Sequence, residues 1–309
     1  MVAIEVDDVT KEFGDVTALR DVSFTVEEGE VFGFLGPNGA GKSTTINVLL
    51  DFVRPTAGAV RVLGIDAGVH PERVREQIGV LPEGYDVYDR LTGRQHLQFV
   101  VESKDADDDP DALLERVGLD PEDARRKAGG YSKGMKQRLV LAMALVGDPD
   151  LLILDEPSTG LDPNGARMMR EVVREERDRG ATVFFSSHIL GQVEAVCDRV
   201  GILDDGEMIA VDTVEALREA ADVATTLEIT TTGLTDDAVD AVAAIDGVSG
   251  VEVDDDHLSV ACDDAQKTTV LAALEDAGVE ISDFSTEEAS LESLFAAYTD
   301  DRAEEVAEA

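Results

Sequence analysis

The chain has 309 residues and a formal net charge of -41 at pH 7, because 67 aspartates and glutamates oppose only 26 lysines and arginines. An apolar content of 43% suffices for the cores of two domains, whereas so negative a surface disfavours direct binding of nucleic acid or anionic membrane. We interpret the acidity as adaptation to a high-salt cytoplasm, as in a halophile, with a surface for cations or for a basic partner as the alternative.

The N-terminal segment and the apolar runs argue against secretion or membrane insertion. Residues 1–13, MVAIEVDDVTKEF, contain no basic stretch followed by an apolar one, so we expect no secretory signal. The longest apolar run, residues 139–147, falls well short of the roughly 18 residues that a membrane helix needs. Cys197 and Cys262 lie far apart and are expected to be small buried residues without chemistry. The sequence therefore predicts a cytoplasmic location.

A glycine-rich turn is the first strong functional signal along the chain. We expect a strand before it, at residues 30–36, and a helix after it, from Lys42 onward. The turn, GPNGAGKST, fits the pattern G-x-x-x-x-G-K-[ST], in which backbone amides surround the phosphates of a nucleotide. Lys42 is expected to bridge the β- and γ-phosphates, and Ser43 to bind Mg²⁺. The predicted phosphate-binding residues are Gly36, Pro37, Asn38, Gly39, Ala40, Gly41, Lys42, Ser43 and Thr44.

Two adjacent carboxylates follow a second predicted strand, in the segment LLILDEPSTGLD. Residues 151–154 are typical of a buried central strand, which ends in Asp155 and Glu156. Ligands of open α/β sheets bind at the carboxyl ends of the strands. We therefore expect Asp155 to hold Mg²⁺ and Glu156 to orient and polarise the attacking water. A pair of carboxylates that caps a helix is the alternative.

A further strand is predicted at residues 182–187, and it places His188 at the same edge of the sheet. The other histidines lack such a setting and are expected to be on the surface or structural: His70, His96 and His257. These pieces, in this order, resemble the ATPases of ABC transporters. The resemblance covers about residues 1–220. It implies an α/β P-loop NTPase cassette with a mixed-sheet core, an antiparallel β subdomain and a helical subdomain, and it makes His188 the switch histidine near the γ-phosphate.

The segment GGYSKGMKQR, residues 129–138, stands where the signature motif of that family stands, just ahead of a predicted helix. In the family, the signature of one subunit contacts the γ-phosphate of ATP held by a second subunit. Ser132 and Gly134 match the signature serine and its second glycine. Three positions depart from the commonest letters Leu, Gly and Gln: Tyr131, Lys133 and Met135. This variant resembles the branch of type-two exporters, whose ATPase and membrane subunit are separate chains.

Three further residues match family positions. Phe13 corresponds to the aromatic residue that stacks on adenine, although a strand-end core residue is the alternative. Asp162 corresponds to the loop that touches the opposite subunit. Glu83 occupies the place of a glutamine that senses Mg²⁺ and water, and its extra charge puts that direct role in doubt.

The remaining cassette segments can be placed by the same resemblance. Residues 84–148 resemble the helical subdomain, with an aspartate-rich break at 105–111, and this subdomain is expected to offer a groove to a short cytoplasmic helix of a membrane partner. Residues 199–212 predict a hairpin, because an Asp-Gly pair lies between two apolar runs. A helix at 213–220 is expected to close the first domain.

Composition shifts after residue 220. Residues 221–309 contain 24 of the 67 acidic residues but only two of the 26 basic ones. Residues 225–300 predict the order βαββαβ followed by a last helix at 291–299, which favours a small ferredoxin-like α+β accessory domain over 221–300. A flexible acidic tail is expected at 301–309. Three consecutive aspartates are expected to form a hairpin turn, with calcium binding as the alternative: Asp254, Asp255 and Asp256.

The sequence thus predicts the Mg²⁺-dependent ATPase subunit of an export-type transporter. The resemblance implies that two copies enclose two ATP molecules, so a homodimer is expected, and that the dimer acts on a separate polytopic permease at the cytoplasmic face of the membrane. Two alternatives remain open. One is an ABC ATPase that acts on ribosomes or DNA, which the acidic surface disfavours. The other is a nucleotide-binding regulator without catalysis, which the complete set of acidic and histidine residues disfavours.

Overall fold

The computed structural model describes residues 1–188, 190–220, 225–254, 257–262 and 264–287. The chain divides into two compact units, Met1–Val214 and Glu215–Ala309. The predicted last helix at 291–299 and the predicted tail at 301–309 lie outside the described residues.

The first unit contains the glycine-rich turn at residues 36–44, called the P-loop below, and the predicted catalytic residues. Its strands are β1 (Val2–Phe13), β2 (Val16–Glu27), β3 (Val31–Leu35), β4 (Ala57–Val62), β5 (Ile65–Asp66), β6 (Ile78–Leu81), β7 (Leu151–Asp155), β8 (Thr182–Ser187), β9 (Arg199–Asp204) and β10 (Glu207–Thr213). Its helices are α1 (Lys42–Leu49), α2 (Pro71–Gln77), α3 (Gly93–Lys104), α4 (Pro110–Arg116), α5 (Pro121–Ala124), α6 (Lys133–Leu145), α7 (Pro163–Arg179) and α8 (Leu190–Glu194). Helix α9 (Val214–Ala220) begins at the last residue of this unit and continues into the second unit.

The central sheet has the order β10-β9-β3-β8-β7-β6. Strands β9, β3, β8, β7 and β6 pair in parallel, and β10 is antiparallel to β9. Strands β3, β7 and β8 are buried along their whole length, which explains their nearly continuous apolar sequences. Both predicted inner strands, at 151–154 and 182–187, are confirmed. Because the strands are parallel, the segments that follow β3, β6, β7 and β8 all emerge at one edge of the sheet.

A second sheet, with the order β2-β1-β4-β5, is antiparallel throughout. Its inner face is apolar and alternates with exposed residues: in β2, Val22, Phe24 and Val26 are buried while their neighbours are largely open. Phe24 stacks on Phe32 of β3, with ring centroids 5.7 Å apart. The two sheets therefore share one core, as expected for a mixed-sheet core with an antiparallel β subdomain.

Helices α3 to α6 occupy residues 93–145, within the segment predicted as a helical subdomain. Thr92 and Gln95 form a reciprocal capping box at the start of α3. The aspartate-rich break separates α3 from α4, and Asp109 caps α4. Helix α6 begins at Lys133, earlier than the sequence indicates, because the Ser132 hydroxyl accepts a hydrogen bond from the Met135 amide.

Two local expectations concern turns and helix ends. The predicted hairpin at 199–212 is confirmed as β9 and β10, and its turn residues Asp205 and Gly206 have φ values of 42° and 80°, the geometry of a type I′ turn. Helix α1 is shorter than its apolar sequence indicates. It ends at Leu49, and Asp51 adopts a left-handed conformation with φ of 53°.

The second unit has the predicted βαββαβ order. Its elements are β11 (Thr225–Thr232), α10 (Asp236–Ala243), β12 (Val248–Asp254), β13 (His257–Cys262), α11 (Lys267–Asp276) and β14 (Glu280–Glu287). The sheet order is β12-β13-β11-β14 with antiparallel neighbours, the arrangement of a ferredoxin-like domain. Asp254 pairs with His257 as in a hairpin, while Asp255 and Asp256 lie outside the described residues.

Candidate active site

The glycine-rich turn connects β3 to α1 through tight backbone contacts. A Cβ atom at Gly36 would collide with the carbonyl oxygen of Leu203. Gly41 has a φ of 110°, and a Cβ there would lie 2.8 Å from the carbonyl oxygen of Ala18. Glycine at these two positions lets the loop curl closely ahead of Lys42, the first residue of α1. The loop therefore has the form of a phosphate cradle at a helix N-terminus.

The side chain of Lys42 is buried within this loop. Its Nζ atom donates hydrogen bonds to the carbonyl oxygens of Gly36, at 2.7 Å, and Pro37, at 3.2 Å. The same atom lies 3.8 Å from Oε1 of Glu156. The Lys42 ammonium group thus lies between the glycine-rich loop and the Glu156 carboxylate.

The two carboxylates after β7 are held by the neighbouring strand β8. The Ser186 hydroxyl donates a hydrogen bond of 2.6 Å to Oδ1 of Asp155, and it accepts one of 3.1 Å from the amide of Glu156. Glu156 has a φ of 49°, an uncommon conformation for a residue with a side chain, and such strain clusters at functional sites. The N-cap of the following helix α7 is Asp162, so these carboxylates do not form the helix cap considered as the alternative.

His188 follows β8 and contacts Glu156 directly. Its Nδ1 atom lies 2.8 Å from Oε2 of Glu156. The other oxygen, Oε1, is buried and has no hydrogen-bond partner among the described residues. Glu156 is therefore fixed through one oxygen, and its second oxygen remains able to accept a proton from a water molecule.

A cleft of about 390 Å³ joins these groups, within the usual size range of a ligand site. Its lining residues are Ala18, Pro37, Asn38, Gly39, Gly41, Lys42, Ser43, Thr44, Glu83, Glu156, Thr159 and His188. Most of the predicted phosphate-binding residues are thus brought together with Glu83, Glu156 and His188.

The oxygen groups near this cleft fit a magnesium ion. Asp155 and Glu83 supply carboxylates and Ser43 a hydroxyl, the hard donors that Mg²⁺ prefers. Burial raises the pKa of Asp155, the nearby Glu83 charge adds to this, and the hydrogen bond from Ser186 opposes it. A bound cation would favour the charged carboxylate that burial disfavours.

Two family models match the chain. The model of the ABC transporter family matches residues 19–159, and the model of the C-terminal domain of DrrA1-3-like ATP-binding proteins matches residues 213–299. The linearmycin resistance ATP-binding protein LnrL of Bacillus subtilis is 33% identical over 301 residues, which are 94% of this chain and 96% of that protein.

The chain belongs to the ABC transporter ATP-binding proteins. It is accordingly an ATPase whose cassette binds ATP. The Nod factor export ATP-binding protein I of a Rhizobium species is 40% identical over 223 residues, 71% of this chain and 73% of that protein. The bacitracin transport ATP-binding protein BcrA of Bacillus licheniformis is 39% identical over 212 residues, 67% of this chain and 68% of that protein.

Solved structures agree with this assignment of the ABC ATPase. An ATP-binding subunit of an ABC transporter superposes with a TM-score of 0.65 and 32% identity, covering 71% of this chain and 92% of that chain. A dimeric ATP-binding cassette in a post-hydrolysis state, bound to ADP and Pi, superposes with a TM-score of 0.63 over 68% of this chain and 98% of that chain. Its 23% identity supports the fold alone.

Four other predicted residues of this ABC ATPase are not among those that line the cleft: Phe13, Ser132, Gly134 and Asp162. Phe13 ends β1 and is half exposed, so it is not a core residue, and the Lys11 ammonium lies 4.7 Å from the centre of its ring. Ser132, Gly134 and Asp162 line a separate open cavity of about 430 Å³ at the start of α6. The single chain therefore does not bring the signature residues to its own P-loop.

Ser186 and Thr159 are among the site residues that sequence reasoning missed. Ser186 holds both carboxylate residues, and the only signal was a serine at the end of an otherwise apolar strand. Thr159 lines the cleft from the loop after Glu156. Neither position carries a distinctive spacing, so only the folded chain reveals them.

Residues expected to lack a role behave as follows. His96 is buried, with Nδ1 2.8 Å from the Thr92 carbonyl oxygen and Nε2 accepting from the Tyr88 amide at 3.0 Å, so it is structural. His70 and His257 are exposed. Burial raises the pKa of the Cys197 thiol well above its usual value, which keeps it unreactive.

Among the residues that the structure describes, no helix is long and apolar enough to cross a bilayer.

Replacing Asp155 by asparagine is expected to stabilise the nucleotide-free fold while lowering hydrolysis by more than about tenfold, since a magnesium ion bound there would lose a carboxylate ligand. Because the folded-state pKa is raised, the charged carboxylate opposes folding above that pKa and the protonated one does not. The gain in Tm should therefore be largest near pH 7 to 8 and shrink as the pH falls through the raised pKa. Thermal unfolding of the native protein and of Asp155→Asn across this pH range measures the difference in Tm. A lower Tm for the variant than for the native protein at pH 8 would contradict the prediction.

Proposed function

We propose that this chain hydrolyses ATP through Glu156 and thereby powers an export-type transporter. The observation that most strongly supports a catalytic role for Glu156 is the setting of its carboxylate. Its Oε2 atom lies 2.8 Å from Nδ1 of His188, and its Oε1 atom lies 3.8 Å from Nζ of Lys42. Export is supported by the names of relatives that act in linearmycin resistance, Nod factor export and bacitracin transport.

In this reaction the P-loop amides and Lys42 hold the phosphates of ATP, and Phe13 offers a face for the adenine ring. Glu156 accepts a proton from the attacking water through Oε1, the products being ADP and inorganic phosphate. His188 holds Glu156 in place and lies near the γ-phosphate. Ser43, Asp155 and Glu83 would hold Mg²⁺, which neutralises phosphate charge when bound.

The signature residues of one chain contact the ATP that is held by a second copy of the chain. Ser132, Gly134 and Asp162 line a cavity open to the surface, which suits contact with ATP held by another subunit. One chain carries both a P-loop and a signature, so two identical copies complete two sites. We therefore propose a homodimer that closes around ATP.

Replacing Ser132 by alanine should lower hydrolysis by about tenfold, because a hydrogen bond to the charged γ-phosphate is lost, while ATP binding to the P-loop persists. Alanine also removes the cap of α6, at a cost of about 1 kcal/mol in the free energy of unfolding. Asparagine keeps a capping oxygen and lacks the hydroxyl, so Ser132→Asn should lose activity without losing stability. Equilibrium binding of ATP, steady-state hydrolysis and thermal unfolding separate these effects; loss of ATP binding in either variant would refute the assignment to the opposite subunit.

We further propose that a separate polytopic permease holds the dimer at the cytoplasmic face of the membrane. Tagged Glu156→Gln protein, isolated from gently solubilised membranes with MgATP, should carry a polytopic membrane protein in near-equal amount, identified by mass spectrometry. High salt is used because the net charge of -41 favours adventitious binding of basic proteins. Recovery with ribosomal or DNA-bound proteins alone would favour the non-transport alternative.

A further inference from the structure

A second and larger cavity adjoins the nucleotide cleft. It has a volume of about 650 Å³ and lies between the central sheet and the start of α6. We call it the lysine cavity; its lining residues are Pro82, Glu83, Gly84, Tyr85, Tyr131, Lys133, Lys136, Gln137, Asp155, Glu156 and Thr159. Nothing in the proposed hydrolysis uses its lysines.

The lysine cavity and the nucleotide cleft share part of their walls. Glu83, Glu156 and Thr159 line both. Glu156 is the residue beside which the γ-phosphate would be cleaved, so the two spaces meet where the phosphate product forms. The lysine cavity is thus a second space that a released phosphate reaches directly.

The charges on the two sides of the lysine cavity differ. Asp155 and Glu156, on the inner side, are buried carboxylates, and the exposed carboxylate of Glu83 lines the cavity beside them. Lys133, on the outer side, is exposed and has no carboxylate partner among the described residues, and the Lys136 ammonium is 3.8 Å from Asp89 in a loose pair. Two ammonium groups are therefore available to an anion.

The position of Lys133 is fixed by its stem and its backbone. A Cβ at Gly160 would lie 2.6 Å from the Lys133 Cδ atom, so the stem packs against that glycine in the loop after Glu156. The Tyr85 hydroxyl donates to the Lys133 carbonyl oxygen at 3.4 Å, and burial raises the pKa of Tyr85 to about 12, which keeps it a donor. Lys133 also stands where glycine is the commonest letter of the signature. Its side chain lines the lysine cavity and also the neighbouring cavity formed by Ser132, Gly134 and Asp162.

Electrostatics favour movement of an anion from the inner to the outer side. A phosphate ion next to the inner carboxylates is repelled by like charge, whereas the two ammonium groups attract it. This matters in a chain with a net charge of -41, because the general surface field opposes the binding of an anion wherever no cations are concentrated.

We propose that the lysine cavity binds the inorganic phosphate produced by hydrolysis and lies on its exit path, with Lys133 and Lys136 as the recognising residues. The proposal rests on the proposed role of Glu156 in hydrolysis. Escape through the nucleotide cleft is the competing route.

Phosphate binding is tested on the ADP-loaded, full-length protein by titration with inorganic phosphate in a calorimeter. The double variant Lys133→Gln/Lys136→Gln should bind phosphate about tenfold more weakly, and the double arginine variant should bind it like the native protein. Lys127→Gln, which removes a nearby exposed cation outside the cavity, should have no effect. Equal phosphate affinity of the native protein and the glutamine variant overturns the proposal.

The exit path is tested by following two events in one turnover. ADP formation is measured by rapid quench, and free phosphate by a fluorescent phosphate-binding reporter. In the glutamine variant the delay between ADP formation and the appearance of free phosphate should lengthen about tenfold, whereas the arginine variant should keep the native delay. An unchanged delay in the glutamine variant overturns the proposal. Absence of ADP formation in the native protein instead refutes the proposed function, and the calorimetric test does not depend on it.

Discussion

Replacing Glu156 by glutamine is expected to lower steady-state ATP hydrolysis by about 100-fold or more, the usual contribution of a general base. Glutamine keeps the size of the side chain but cannot take a proton from water. Its amide also removes a buried negative charge 3.8 Å from Lys42, which strengthens the hold of Lys42 on phosphate. ATP should therefore bind at least as tightly as in the native protein. Steady-state ADP production and equilibrium ATP binding, measured side by side, check both statements.

The matched control for this variant is Glu171→Gln. Glu171 is an exposed residue of α7 that pairs with Arg167, so the same change of charge occurs away from the cleft. Its hydrolysis rate should stay within about twofold of the native rate, because surface substitutions of this kind have small effects. Full hydrolysis by Glu156→Gln would remove Glu156 from the role of general base.

Replacing Lys42 by alanine is expected to weaken ATP binding by about 10- to 100-fold, the range for losing a hydrogen bond to a charged group. The substitution also leaves Glu156 buried without its nearest cation, so the repulsion between Glu156 and the γ-phosphate is no longer offset. Hydrolysis should become undetectable at ATP concentrations that saturate the native protein. Calorimetric titration with ATP, with and without Mg²⁺, measures the loss.

A double variant separates these two effects of Lys42. If the uncompensated charge of Glu156 contributes, Lys42→Ala/Glu156→Gln should recover part of the lost ATP affinity, because the repulsive carboxylate is gone. Lys127→Ala serves as the surface control and should bind ATP normally. Normal ATP binding by Lys42→Ala would show that the nucleotide lies elsewhere.

The location of the site could be predicted from the sequence because parallel strands all end at the same edge of the sheet. The predicted strands at 30–36, 151–154 and 182–187 end beside one another, so the P-loop, Glu156 and His188 meet at one edge without further information. Glu83 joins them because β6 pairs with β7. The βαββαβ order of the second unit was also predictable, since each of its elements has a clear apolar period.

Other features depend on contacts between distant segments. Nothing near Ser186 in the sequence indicates that its hydroxyl would hold Asp155. The position of the Lys133 side chain depends on the packing of its stem against Gly160, a contact that no local pattern encodes. The observed helix boundaries likewise differ from the predicted ones by a few residues, because a single N-cap residue such as Ser132 determines where α6 begins.

The most direct test of the catalytic dimer is the mass and nucleotide content of Glu156→Gln in solution. Light scattering after size-exclusion chromatography with MgATP, followed by extraction of the bound nucleotide, gives both quantities for one sample. We expect a dimer that retains two unhydrolysed ATP molecules, and a monomer when nucleotide is left out. A monomer in the presence of MgATP, or bound nucleotide recovered as ADP, would contradict closure around ATP and hydrolysis through Glu156.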